Sequence, residues 1–283
     1  MRARTRCHDD TPPRPCGHWR FFPGKAALAL SIHGLVATAA GAQLAVGRVE
    51  VLMTPDVRSS RDAAVSVRNE SPQPVQAMVR LEDWDRAADG TNQWYPYGSR
   101  KGRGSCAPAL SVFPQSLRLE PGAEQAIRIV LDSALAPPQE CWAAAVVETV
   151  RPAGTQARRI AYVVRTAVKI YVQPVGLAAE GAIESLQLAA DSTPRGSAQR
   201  CLEILFANTG QRHLVANGAL EIRRTDNTVA GRLAIPTVYA LPGARHAVLV
   251  PIPDLPPGSY VFLATMDYGG PDIAAAIIEH RKR

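Results

Sequence analysis

Few residues in this 283-residue chain have the types and spacing that chemistry needs. Beyond residue 42 the histidines are His213, His246 and His280, each isolated, and there is no H-E-x-x-H, no G-x-S-x-G and no P-loop. Gly102-Arg103-Gly104-Ser105-Cys106-Ala107 matches G-x-G-x-x-A. A dinucleotide fingerprint must follow a strand and open a helix, however, and this one runs into Pro108. The run Glu82-Asp83-Trp84-Asp85 holds enough carboxylate for a metal or for acid/base work, but it reads better as the end of a strand entering a solvated loop. No Cys or His pair has ligand spacing, so neither a metal nor a cofactor is expected, and an enzyme is not the reading these residues support.

The elements that would position any site begin after a leader. Residues 1–42 carry Arg2, Arg4, Arg6, Arg14, Arg20 and Lys25, then an apolar run from Ala26 to Ala39, then Ala40-Gly41-Ala42. Charge, a short apolar core and an A-x-A-like exit before Gln43 are the layout of a secretory signal, too short and Ala-rich for a membrane span. The leader holds six of the 32 Lys and Arg and two of the 25 Asp and Glu, leaving 26 against 23. A net charge of about +3 is no nucleic-acid footprint.

Export frames the cysteines. Cys7 and Cys16 fall in the leader, leaving Cys106, Cys141 and Cys201. Cys106 lies just before one expected strand and Cys141 at the start of another, so an oxidising compartment predicts a Cys106–Cys141 disulfide. Closing that loop contributes at most ~4 kcal/mol by the chain-entropy estimate. Cys201, in an apolar run, reads as a buried thiol rather than a reactive one.

Residues 43–283 read as all-β, with short alternating apolar runs between Pro, Gly, Asn and Asp clusters. Strands are expected at 44–53, 63–68, 75–82, 110–113, 116–119, 124–131 and 142–150, then from Arg159 to the residue before Pro174. Glu120-Pro121-Gly122 and Asn69-Glu70-Ser71-Pro72 are turn chemistry, while 85–105, with Trp94, Tyr95 and Tyr97, reads as a long surface loop or irregular hairpin. After the connector Pro174-Val175-Gly176-Leu177, strands follow at 182–188, 201–208, 214–223, 232–238, 245–250, 259–267 and 273–280. The expectation is two immunoglobulin-like β-sandwiches in tandem, 43–174 and 175–283, the first closed by its long last strand.

That last strand is the main functional clue. Ile160, Tyr162, Val164, Thr166 and Val168 form one row; Ala161, Val163, Arg165, Ala167 and Lys169 form the other. Both rows are apolar from Ile160 to Val164. Either both are covered within the protein, by a loop or the second domain, or one is offered to another polypeptide.

The order of these features resembles the periplasmic chaperones of the fimbrial chaperone–usher pathway. The resemblance rests on Thr166-Ala167-Val168-Lys169-Ile170-Tyr171-Val172-Gln173-Pro174 leading into the connector, and on Ser116-Leu117-Arg118-Leu119-Glu120-Pro121-Gly122 before a strand ending Arg128-Ile129-Val130-Leu131. It implies a cofactor-free periplasmic chaperone that lends a strand to a pilin subunit and delivers it to an outer-membrane usher. Ile160, Tyr162 and Val164 would be the donor residues, and Lys169 the anchor for the subunit's carboxylate. Arg48 is the nearest candidate for the family's second anchoring cation. Cys106 and Cys141 resemble paired cysteines of some members, and in the free protein a second copy could cap the strand as a dimer. Gln173 stands where members commonly carry arginine, which points to a different contact between the domains. The other reading is an exported Ig-like structural or adhesive protein.

Overall fold

The structure, a computed structural model, describes residues 44–100, 104–150, 163–190 and 200–282. The expected leader, and Ile160 and Tyr162 of the donor row, lie outside the described residues.

The first sandwich is built from β1 (Leu44–Val46), β2 (Glu50–Met53), β3 (Asp62–Asn69), β4 (Val75–Arg86), β5 (Asn92–Tyr95), β6 (Leu110–Phe113), β7 (Ser116–Leu119), β8 (Glu124–Leu131), β9 (Cys141–Val150) and β10 (Arg165–Val172). One sheet runs β1-β3-β8-β6; the other runs β2-β10-β9-β4-β5, with β7 also on β4. Period-two alternation sends Val65 and Val67 of β3, Ile127 and Ile129 of β8, and Val168, Ile170 and Val172 of β10 into one core between them.

The second sandwich uses β11 (Gly181–Ala190), β12 (Arg200–Asn208), β13 (Leu214–Arg224), β14 (Val229–Ala240), β15 (Arg245–Pro251), β16 (Gly258–Asp267) and β17 (Ile273–Lys282). A β11-β12-β15 sheet faces a β14-β13-β16-β17 sheet across a core that includes Leu202, Ile204, Phe206, Leu220, Ile222 and Phe262. The fold is all-β with two Ig-like sandwiches, as the strand spacing predicts.

Both sandwiches lock one corner in the same way. Buried Asn69, ending β3, donates its Nδ2 to Gln73 O and Leu119 O at 2.8 and 3.0 Å, and its Oδ1 accepts from Ser71 N at 2.9 Å. Buried Asn208, ending β12, donates to Arg212 O and Ala240 O at 2.8 and 2.9 Å and accepts from Gly210 N at 2.9 Å. Each asparagine carbonyl then accepts from the glycine of a Pro-Gly-Ala turn, Gly122 at 2.9 Å and Gly243 at 3.1 Å. Those glycines sit at φ 74° and 75°, the left-handed position such a turn requires after proline.

Two strand bounds are corrected and one open alternative is resolved. The strand expected at 44–53 changes sheets, β1 pairing with β3 and β2 running parallel to β10. The break holds Gly47, where a Cβ would strike the Ser66 side chain. Of the two readings of 85–105 the hairpin is the one found: β4 continues to Arg86 and turns back into β5, registering Trp84 opposite Trp94. Of the last strand expected from Arg159, the described part enters the sheet only at Arg165, and 159–162 lie outside the described residues.

Candidate functional site

The site is set by how β10 is paired. Along its whole length it has β9 on one side, from Arg165 opposite Glu148 to Val172 opposite Cys141. On its other side β2 pairs only Lys169–Val172, and the Lys169 N–H donates to Val49 O at 2.8 Å. Among the described residues no strand pairs the other edge of Arg165–Val168, and this open edge ends at Lys169. Upstream, Val164 stays tied to β9, its carbonyl accepting from Thr149 N at 3.0 Å and its N–H donating to Thr149 Oγ1 at 3.2 Å. Val164 is half-buried and Val163 is 59% exposed. By alternation Val164 and Thr166 belong to the row that continues as Val168, Ile170 and Val172 in the core. That row runs past the core it serves.

Two residues of the opposite row of β10 are covered within the protein. Ala167 and Tyr171 pack with Trp84, Trp142, Ala144, Val146 and Leu241, the last from the second sandwich. Trp84 and Trp142 brace each other: Trp84 Nε1 donates to Ala143 O at 3.0 Å and Trp142 Nε1 to Trp84 O at 2.8 Å. Gly104, at φ 83°, lies where a Cβ would meet the Trp142 ring, which gives the dismissed glycine motif a packing role.

Lys169 stands on this floor. Its ammonium lies 5.0 Å from the Trp84 ring centroid and 3.9 Å from Glu50 Oε1, with the side chain 17% exposed. Burial, and then the Arg86 guanidinium, lower its pKa, while Glu50 acts the other way. Arg86 holds Gly90 O at 2.9 Å and lies 5.8 Å from the Trp84 ring and 5.3 Å from the Tyr239 ring. The cation acting on Lys169 is thus Arg86; Arg48 sits exposed at the break between β1 and β2. Two half-enclosed cations against one carboxylate leave a net positive charge where shielding from water strengthens pairing. The cavity beside them, lined by Glu50, Arg86, Tyr171, His213 and Tyr239, is only about 10 Å³.

What narrows it is the contact between the sandwiches. Glu140, just before β9, has a fully enclosed carboxylate that accepts from His213 N and meets His213 Nδ1 at 2.5 Å. Tyr171 stacks on the His213 ring, centroids 4.0 Å apart, and meets Trp84 edge-on at 5.8 Å. Burial drives the Tyr171 phenol pKa upward. With Gln173 in place of a cation, the two sandwiches meet through this carboxylate–imidazole pair.

The acidic run is spent on structure. Glu82 accepts from Arg165 at 2.5 and 2.6 Å and from Arg80 at 2.9 Å; buried Asp83 accepts from Arg100 N at 2.8 Å and Ser105 Oγ at 2.5 Å; Asp85 pairs with Arg100. Trp94 and Tyr97, 38% and 56% exposed, line a surface groove of about 820 Å³ with Met78 and Phe113. Cys106 and Cys141 are brought side by side, but as buried thiols, without the expected bond. Burial and then the neighbouring Cys141 raise the Cys106 pKa. The residues that the sequence did not single out are Arg86, Glu140, His213 and His246. Only Arg86 had a signal, since it follows Glu82 and Trp84 on one face of a strand.

Residues 43–178, the first sandwich and its connector, match the family of pili and flagellar-assembly chaperones, PapD N-terminal domain. No curated protein sequence matches the chain. Among solved structures, a chain of the chaperone–tip adhesin complex of CFA/I fimbriae biogenesis is 14% identical, with 84% of this chain and 98% of that one covered at a TM-score of 0.49. The YadV chaperone is 12% identical, with 84% and 100% covered at 0.49. A chain of the CsuC–CsuE chaperone–tip adhesion subunit pre-assembly complex of Acinetobacter baumannii is 12% identical, with 73% and 89% covered at 0.42.

Proposed function

We propose that this protein is a periplasmic chaperone that holds pilin subunits by donor-strand complementation and hands them to an outer-membrane usher. The observation that carries this reading is the core-facing row of β10, which continues through Val164 beyond its own core, along the open edge that stops at Lys169. A subunit lacking one strand has unpaired backbone groups and an open apolar groove, and a strand presented this way satisfies both. Ile160, Tyr162 and Val164 are the proposed donors. Lys169 is the proposed anchor for the subunit's terminal carboxylate, with Arg86 rather than Arg48 as the second cation. On this reading residues 1–42 are the cleaved signal, 43–174 the chaperone domain and 175–283 its companion.

Co-expression with a candidate pilin tests it. Val164→Asp and Lys169→Ala are each expected to lower the intact subunit recovered with the chaperone by roughly tenfold, since a charge in an apolar groove or a lost anchor costs ~1.4 kcal/mol or more. Recovery at the wild-type level with both variants removes donor-strand transfer, and an N-terminus that does not begin at Gln43 removes the assigned cleavage.

We also infer that export joins Cys106 to Cys141, since their side chains are already in contact. Alkylation of the exported, unfolded protein without reductant is expected to spare both cysteines; labelling of both would rule the bridge out.

A further inference from the structure

A second histidine sits where the sandwiches meet, apart in sequence from Glu140 and His213. His246 lies on β15, the edge strand of its sheet, and is 3% exposed. Its Nδ1 stands 3.2 Å from the carbonyl of Ala88, in the turn between β4 and β5 of the first sandwich. A carbonyl only accepts, so Nδ1 carries the hydrogen, and in the neutral ring Nε2 is left as a lone pair. Nε2 is buried with no hydrogen-bond partner among the described residues.

We propose that His246 is an acid-sensitive catch between the two sandwiches: protonation of its buried Nε2 releases the β4–β5 turn and opens the cleft over Arg86 and Lys169, with Glu140–His213 as the pivot. A proton on Nε2 would create a buried charge and a donor with nothing to bond, which burial penalises heavily. The groups facing the ring do not offset this. From β4 comes Arg86, a like charge; from the turn comes Asp89, an exposed carboxylate already held by Thr91; from β14 comes Tyr239; and from β12, opposite in register, Phe206. The turn itself is stiff, with Ala87 N bonded to Thr91 O and Gly90 N to Ala87 O, both at 2.9 Å. It therefore moves as a unit, and Arg86, bonded to Gly90 O, moves with it. At the Glu140–His213 contact the carboxylate also accepts from the His213 backbone N–H, a bond that does not involve the ring.

The sign follows from linkage. Burial, ahead of the other causes, lowers the pKa of His246 below 6.5 in the closed state. The open state thus binds more protons, and the closed contact has its full stability above the ordinary histidine value and loses it as pH falls below that value. The effect does not depend on the identity of the bound subunit.

Amide exchange on the purified protein at about pH 7.5 and about pH 5.5 tests it, with rates corrected for intrinsic chemistry. Residues 87–91 are expected to lose protection by about tenfold at the lower pH, while β8 and β16 keep theirs. His246→Asn, which keeps a donor near Ala88 without the titrating nitrogen, should abolish the difference. Equal protection of the turn at both pH values in the wild type overturns the proposal, as does an undiminished acid response in His246→Asn. Should that variant not fold, proton NMR of the wild-type ring decides: titration at the ordinary histidine value with a protected turn overturns the catch, and depressed titration coincident with exposure of the turn supports it.

Discussion

Trp84→Ala is expected to lower the stability of the protein by about 3–5 kcal/mol, the range for removing a large buried aromatic. The ring is 1% exposed and touches everything that shapes the cleft: Tyr171 edge-on, Lys169 above it, Arg86 beside it, and the Ala143 carbonyl through Nε1. Its loss leaves a cavity under the two cations as well as a weaker core. Denaturant unfolding measures the first effect, and Trp84→Phe separates the rest, since it keeps an aromatic ring and gives up a hydrogen bond worth about 1 kcal/mol. At a temperature where Trp84→Ala is still folded, it should also retain less pilin than Trp84→Phe. Stability within ~0.5 kcal/mol of wild type, the range of an ordinary surface substitution, would show that the ring does not organise this region.

How much of this was legible depended on whether the signal was local. The strands of the second sandwich were readable because each is an alternating run closed by a turn, such as the Pro-Gly pair of Leu241-Pro242-Gly243 that meets Asn208. The same logic found Glu120-Pro121-Gly122. It misjudged β4 because the acidic residues of Glu82-Asp83-Trp84-Asp85 look like solvent-facing loop. They stay in the strand since Arg80, Arg100 and Arg165 neutralise them, the last two from well beyond the strand. It also did not locate Arg165 as the point where β10 joins the sheet, because β-branched composition records a preference for strand but not where the neighbouring strand ends. Val49 and Glu50 decide that limit for one edge of β10, and nothing in residues 159–174 refers to them.

The candidate site was legible to the same degree. Lys169 could be singled out because it interrupts an apolar run, and Val164 because its row is apolar. Arg86 could not be linked to Lys169, since their proximity is made by β9 lying between β4 and β10. Cys106 and Cys141 were correctly associated, because each stands at a strand boundary, but spacing alone does not give the state of the sulfurs. Glu140, His213 and His246 were beyond reach. A lone polar residue next to a strand carries no local pattern, and its role exists only once two sandwiches have been packed together.

His213→Ala is therefore the sharpest test of that packing. It leaves the Glu140 carboxylate, fully enclosed in the wild type, with only the backbone N–H of residue 213, and it removes the ring on which Tyr171 stacks. Leaving a buried polar group without its hydrogen-bond partner costs about 1–3 kcal/mol, and more for a charged one, because the group stays desolvated. Here the chain has a cheaper response than unfolding, which is to part the sandwiches until Glu140 reaches water. Each core is self-contained, so the expected result is an opened molecule with both sandwiches intact, seen as a larger radius in small-angle scattering with unchanged strand content by circular dichroism. His213→Ala combined with Glu140→Leu should recover much of the closed form, since an apolar side chain no longer needs a partner. A single variant as closed as wild type would mean that Leu241 and His246 hold the sandwiches without the pair. An open single variant that recovers pilin as well as the wild type would place binding on the β10 edge, independent of the closed cleft.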